Sequence, residues 1–246
     1  NIKHNGTLLV KHGLKRTGEL SATQMLTYSL QNDAADVYAK NIVMKSGSYE
    51  FDIVYKGEVI EGFRLNMGGM HNVENAVAAI AVTQLVAVDS EKVKTALAGF
   101  KGVRRRFEYV VKNDDVVYID DYAHHPEELA SLIKSAKLLF GGKNCVVVFQ
   151  PHLFTRTRDF ADGFARSLDM ADEVILLDIY PAREEPIEGV TSAMIMERMG
   201  NPNRHLLTKE GLLKYVEAAS LEMLITAGAG DIDKMVQPIK EIIESK

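Results

Sequence analysis

The sequence predicts an α/β protein whose C-terminal part is a Rossmann-like, doubly wound and mostly parallel sheet with helices on both faces. Three observations lead there. Unbroken apolar runs such as Val146-Val147-Val148 and Val174-Ile175-Leu176-Leu177 need cover on both sides, as the strands of parallel sheets do. Beyond Gly102 such runs alternate with stretches of helical periodicity. Two of the runs also end abruptly in polar and titratable residues: Asp120-Asp121-Tyr122-Ala123-His124-His125-Pro126 after one, Gln150-Pro151-His152-Leu153-Phe154-Thr155-Arg156-Thr157-Arg158 after the other. Open α/β sheets build their ligand sites at the carboxyl ends of strands, so the two clusters predict one shared cleft.

The chain opens β-rich. Strands are expected over residues 8–11, 25–30 and 37–44. Residues 48–55 and 58–65 alternate apolar and polar side chains about Lys56-Gly57, which predicts a hairpin. Gly68-Gly69 ends this region. A helix follows over residues 71–88, alanine-rich and apolar nearly all round, and so expected to be buried. Asp89 is placed to cap a second helix over 91–100, with Val93, Ala96, Leu97 and Phe100 on one face. Gly102 is the expected boundary between a unit at 1–102 and one at 103–246.

Past that boundary, residues 107–112 and 116–120 predict a hairpin across Asn113-Asp114. Helix 126–140 carries Leu129, Leu132, Ile133, Ala136 and Phe140 at helical spacing. Strand 145–149, helix 157–168, strand 174–177 and helix 191–199 come next, then strand 205–207, helix 209–219, strand 223–226 and helix 232–244. No internal repeat or low-complexity segment interrupts this order.

Composition narrows the partners. A net charge of −5 over 246 residues argues against a nucleic-acid partner and makes any basic cluster a local site for a small anion. The single cysteine, Cys145, lies inside an apolar strand and offers no disulfide framework, which favours a reducing, cytoplasmic compartment. No apolar run reaches the ~18–20 residues that span a bilayer, so no membrane partner is expected. No secretory signal is expected from the chain's opening residues. Asn1 does not open the chain like a natural N-terminus, and a piece of a longer protein is expected.

Six places carry candidate chemistry. Asn72 and Asn75, three apart at a helix start, offer carboxamide donors and acceptors that suit an adenine edge, with His71 available to stack; simple capping by Asn72 is the alternative. In Arg104-Arg105-Arg106, strand alternation would send Arg105 to the opposite face from its neighbours. A guanidinium at a hinge can grip a phosphate, whereas a solvated basic turn would not. Asp121, Tyr122, His124 and His125 lack metal-ligand spacing, so no metal is assigned; they suit polar recognition, or capping of the helix that follows. Arg156 and Arg158 open a helix whose free amides favour an anion, and a carboxylate ligand is expected there unless Asp159 pairs with one of them. Residues 178–186 form a proline-stiffened loop at a third strand end, and Gly228-Ala229-Gly230-Asp231 reads as a phosphate turn or as a tight strand-to-helix turn.

Together these residues resemble the Mur ligases of peptidoglycan synthesis. The motifs in order are His71-Asn72-x-x-Asn75, Gly102-x-x-Arg105-Arg106-Phe107, Asp120 to Pro126, Phe149-Gln150-Pro151-His152 with Thr155-Arg156-Thr157-Arg158, Tyr180-Pro181-Ala182, and Gly228-Ala229-Gly230-Asp231-Ile232. The resemblance implies three domains in the whole protein, with this chain holding the end of the central ATP-binding domain and all of the third. The family's Gly-Lys-Thr phosphate loop and its magnesium-binding Glu and His would then lie upstream, and this chain alone would not catalyse. It further implies ATP-driven joining of L-alanine to UDP-N-acetylmuramate through an acyl phosphate, with Mg2+. Under it Asn72 and Asn75 contact adenine with His71 near, Arg106 reaches the ATP phosphates, and Asp121 acts with the nucleotide. Tyr122, His124, His152 and Arg156 line the amino-acid and acyl-acceptor site, His124 with a catalytic part. Many relatives carry arginine where Leu153 stands, which leaves Arg156, helped by Arg158, as the carboxylate anchor. A ligase that recycles a ready-made tripeptide and a non-catalytic nucleotide-binding module are the rival readings.

Overall fold

A computed structural model describes residues 6–20, 22–45 and 47–246. Residues 1–5 of the expected first unit, with Ser21 and Ser46, lie outside the described residues. The chain divides into two units, one up to Lys101 and one from Gly102 to Lys246.

In the first unit, β1 (Thr7–Lys11), β2 (Gln24–Ser29), β3 (Val37–Lys45), β4 (Ser48–Tyr55) and β5 (Glu58–Leu65) form one sheet in that order. β1, β2 and β3 run parallel, while β3, β4 and β5 are antiparallel. The β4–β5 turn is made by Lys56 at φ 49° and Gly57 at φ 87°, the positive pair that matches a two-residue loop to the twist of its strands. Helix α1 (Met70–Leu85) follows Gly69, and α2 (Ser90–Gly99) is capped as expected by Asp89, whose carboxylate accepts from Lys92 N at 3.1 Å. The expectation that the first helix is buried all round is corrected. Val73, Ala76, Val77, Ile80 and Ala81 are buried on one face, while Val82 and Val86 are 47% and 67% exposed.

The second unit is the doubly wound sheet. Its six strands are β6 (Glu108–Lys112), β7 (Val117–Asp121), β8 (Cys145–Phe149), β9 (Glu173–Leu176), β10 (Arg204–Leu206) and β11 (Met223–Ala227), in the order β10-β9-β8-β11-β7-β6. All neighbours are parallel except the antiparallel β6–β7 pair. Every residue of β8 is buried because helices cover both of its faces. On one face α3 (Pro126–Leu139) and α4 (Phe154–Leu168) bring Leu129, Ile133, Phe164 and Leu168 against Val147, Phe149, Val174 and Ile225. On the other, α6 (Lys209–Ala218) and α7 (Asp233–Glu244) bring Leu212, Val216 and Ile239 against Val146, Val148, Ile175 and Leu224. Each such fully buried aliphatic side chain contributes roughly 1.5–3 kcal/mol, so alternate residues of one strand hold opposite helix layers.

Two boundaries depart from expectation. α4 begins at Phe154, three residues before the expected start, because Leu153 takes φ 71° at the cap position and lets Thr155 and Arg156 enter the first turn. The expected helix over 191–199 shrinks to α5 (Ala193–Met196). Three-residue backbone bonds flank the two four-residue ones there, as in Met194 N to Thr191 O and Met199 N to Met196 O, and Ser192 Oγ is tied to Leu177 O at 2.6 Å. That tight winding does not propagate as a longer α-helix.

Candidate functional site

The carboxyl ends of β7 and β8 emerge on either side of β11 and carry the two polar clusters. The β7 end is locked first. Asp121 Oδ2 accepts from Phe107 N at 2.7 Å and Oδ1 accepts from Ala123 N at 2.7 Å. The carboxylate therefore holds the chain before β6 to the turn after β7, and that turn aims Tyr122 and His124. Tyr122 N donates to Arg105 O at 2.8 Å, and the guanidinium carbons of Arg105 and Arg106 stand 5.1 and 5.7 Å from the Tyr122 ring centroid.

The arginine triplet is not the alternating strand expected. Arg106 N donates to Val103 O at 3.0 Å and Arg105 has φ 59°, so Arg104–106 occupy a tight turn. The turn sends Arg105 inward: its Nε lies 3.3 Å from Asp120 Oδ2 and its Nη2 donates to Gly228 O at 2.5 Å. Asp120 is 1% exposed, and Thr226 Oγ1 donates to its Oδ1 at 2.7 Å. Burial raises its carboxyl to about 6 against those favourable contacts. Arg106 stays exposed, in no ion pair among the described residues.

His124 is held by its own backbone. Its Nδ1 lies 2.9 Å from Tyr122 O, which can only accept, so in the neutral ring Nδ1 carries the proton and Nε2 the lone pair. Glu128 Oε2 accepts from His124 N at 2.9 Å and from His125 N at 3.1 Å. The open amides at the α3 start are thus met by a glutamate reaching back from within the helix, and the same Glu128 Oε2 stands 3.4 Å from His124 Nδ1. The His124 ring centroid is 5.2 Å from that of Tyr122 and 6.4 Å from that of His152.

His152 leaves the β8 end. Its ring stacks on Tyr180 at 5.8 Å and 22°, and its Nδ1 lies 3.3 Å from Arg156 Nη1. The guanidinium can only donate, so that nitrogen accepts. Burial, then the Arg156 charge and His124, push the imidazole below its usual range, so it is neutral near pH 7. Tyr180 is placed by Tyr180 N to Pro151 O at 2.8 Å and Leu153 N to Tyr180 O at 2.9 Å, which extend the pairing of the β8 and β9 ends beyond the sheet. The structure thus brings Tyr122, His124, His152 and Arg156 together at one edge of the sheet.

Arg156 forms no ion pair among the described residues, whereas Arg158 is exposed and its Nε lies 2.8 Å from Asp159 Oδ1. The expected second carboxylate anchor is therefore committed to a neighbour. The anion expected at the α4 start is supplied by the protein. Glu184 accepts Thr155 Oγ1 at 2.5 Å and Thr155 N at 3.0 Å, and a further bond comes from Phe154 N. The Thr155 hydroxyl and these amides hold the Glu184 carboxyl below its ordinary range. Sequence reasoning missed Glu184 and the buried Asp120. The only signal for Glu184 was its place in the proline-stiffened loop.

The Gly228–Asp231 segment is a packing turn. A Cβ on Gly228 would sit 2.6 Å from Gln150 O, and one on Gly230 2.5 Å from Gln150 Oε1 and 2.6 Å from Tyr180 Cβ. Gln150 Nε2 donates to Asp231 Oδ1 at 3.0 Å and its Oε1 accepts from Ile232 N at 2.8 Å. A cavity of about 470 Å³ opens beside this turn, between Gln150, Asp178, Tyr180, Thr208, Lys209 and Asp231.

The other expected contacts lie in the first unit. The cap of α1 is Gly69, and the Asn72 carboxamide reaches back to donate to Gly68 O at 2.7 Å, so Asn72 closes the loop before the helix. A Cβ on Gly69 would stand 2.5 Å from the His71 ring, which lies against that glycine. Asn75 is exposed one turn on. Among the described residues no group of three His, Cys, Asp or Glu side chains could hold a metal ion. No helix there is long and apolar enough to cross a membrane.

A doubly wound domain with this cluster at its strand tips is preceded by a β-rich unit, and the chain belongs to the Mur ligase family. Residues 105–232 match the Mur ligase glutamate ligase domain and residues 4–83 the Mur ligase middle domain. Among curated relatives, the UDP-N-acetylmuramate–L-alanine ligase of Cytophaga hutchinsonii is 47% identical over 86% of this chain and 46% of its own length. That of Parabacteroides distasonis is 47% identical over 98% of this chain and 52% of its own. The crystal structure of UDP-N-acetylmuramate-alanine ligase MurC from Thermotoga maritima superposes with a TM-score of 0.74 at 26% identity, over 89% of this chain and 48% of that one. The chain thus spans about half the length of the curated relatives it matches.

Proposed function

We propose that the protein containing this chain joins L-alanine to UDP-N-acetylmuramate at the expense of ATP, with residues 1–102 ending the central ATP-binding domain and residues 103–246 forming the amino-acid-bringing domain. The relatives at 47% identity are named for that reaction, and the strand-tip cluster suits its amino-acid substrate. The observation that carries the reading is Arg156, a half-buried guanidinium with no acidic partner among the described residues, held against a neutral His152. A bidentate cation of this kind fits the α-carboxylate of an amino acid.

In the reaction ATP phosphorylates the lactyl carboxylate of the nucleotide sugar, and the alanine amine attacks the acyl phosphate and expels phosphate. Arg156 holds the alanine carboxylate. His124 presents Nε2, which has no hydrogen bond among the described residues, as the lone pair that takes the ammonium proton so that a neutral amine can attack. Tyr122 packs beside it and fixes the ring. Arg106, exposed over Tyr122, neutralises charge on the transferring phosphoryl group. Asp121 supports nucleotide contact by fixing the turn between Phe107 and Ala123, and His71, Asn72 and Asn75 form the adenine contact. The described residues offer no magnesium ligand set, so magnesium would be bound by other residues of the whole protein.

Phosphate release by the full-length protein, with ATP, UDP-N-acetylmuramate and either L-alanine or a tripeptide as acceptor, tests the reading. L-alanine is the expected acceptor. Turnover with the tripeptide alone would assign the recycling reaction instead, and none with either would leave a nucleotide-binding module.

A further inference from the structure

The amides that open α4 are a ready anion ligand at the strand-tip cluster, and they are already occupied. Glu184 takes the amides of Phe154 and Thr155 together with the Thr155 hydroxyl. One residue further on, Arg156 has no acidic partner among the described residues, while Arg158 is bound to Asp159. An α-amino acid entering here finds one open cation for one carboxylate. A second carboxylate, on a side chain, finds the helix amides filled, the next arginine engaged, and the Glu184 charge close by.

We propose that Glu184 is a specificity-determining residue: a fixed negative charge seated on the α4 amides restricts the cluster to amino acids with a single carboxylate and rejects aspartate and glutamate. This rests on the reading of the cluster as the amino-acid site. The loop that carries Glu184 is itself anchored, since Tyr180 is bonded to both Pro151 and Leu153 and Glu184 N donates to Pro181 O at 2.9 Å. The charge is therefore held in place, and does not drift away from an incoming acid. A second carboxylate entering beside this fixed charge meets like-charge repulsion, which solvent at Glu184 screens only in part.

The test is made in the full-length protein with ATP and UDP-N-acetylmuramate, comparing kcat/KM for L-alanine and L-aspartate. Glu184→Gln keeps an acceptor for the Thr155 amide and removes the charge, and it is expected to raise the aspartate-to-alanine ratio severalfold. Glu184→Ala, which also vacates the amides, should raise the ratio further and guards against an unforeseen effect of the glutamine amide. A ratio unchanged in both variants, or a parallel fall for both substrates, overturns the proposal while leaving the function standing. A parent protein that does not use L-alanine would overturn the function and this inference together.

Discussion

Arg105→Met tests the buried charge behind the β7 tip. Asp120, 1% exposed, has Arg105 Nε at 3.3 Å and the Thr226 hydroxyl at 2.7 Å, yet its carboxyl is raised from 3.8 to about 6 because burial outweighs both. A carboxyl whose folded pKa exceeds its unfolded one binds protons more tightly in the folded state. Its contribution to stability is therefore full below about pH 4 and is lost as pH rises through about 6, a cost of about 3 kcal/mol by neutral pH. Removing the guanidinium drives the folded pKa higher and carries that loss further up the pH scale. At about pH 5 Asp120 is mostly protonated in both folded proteins, and the substitution costs chiefly the bond to Gly228 O. At about pH 8 it strands a buried carboxylate without its cation, a defect of about 3–5 kcal/mol. Urea unfolding followed by far-ultraviolet circular dichroism should show a penalty larger at about pH 8 than at about pH 5, by about 2 kcal/mol. Equal penalties at the two pH values would refute the account of Asp120.

Two further outcomes follow from the geometry. Gly228→Ala places a methyl 2.6 Å from Gln150 O at a backbone φ of 145°, so unfolding should become easier by about 2–4 kcal/mol; an unaltered urea midpoint would show that the turn can yield. Arg156→Ala in the full-length protein should raise the KM for L-alanine about tenfold or more with the KM for ATP kept, and a normal alanine KM would remove Arg156 from the carboxylate site.

Much of this was legible along the chain. The apolar runs at 146–148 and 174–177 required two-sided cover, and they lie centrally in a parallel sheet between two helix layers. Lys56-Gly57 predicted its hairpin because only one kind of two-residue turn suits the strand twist, and Asp89 predicted its cap because the bond it makes is three residues away. Errors came where distant contacts decide. The arginine triplet read as a strand because alternation is a local rule, but Arg105 turns inward to meet Asp120 and Gly228, the latter 123 residues away in sequence. The long first helix read as buried because hydropathy counts apolar residues without regard to what is packed against them.

The sequence by itself determined the order of elements, the strand ends that carry polar side chains, and the family motifs, because periodicity, capping and turn chemistry act over a few residues. The tertiary structure decided which of those polar groups remain open for a ligand. Asp121 is spent on two backbone amides, Arg158 on Asp159, and the α4 amides on Glu184, whereas among the described residues Arg156 has no ion pair and the Nε2 of His124 no hydrogen bond. The reason is that a hydrogen-bonding group is committed by whatever partner folding brings within about 3 Å of it, and for Glu184 that partner, Thr155, lies 29 residues back along the chain.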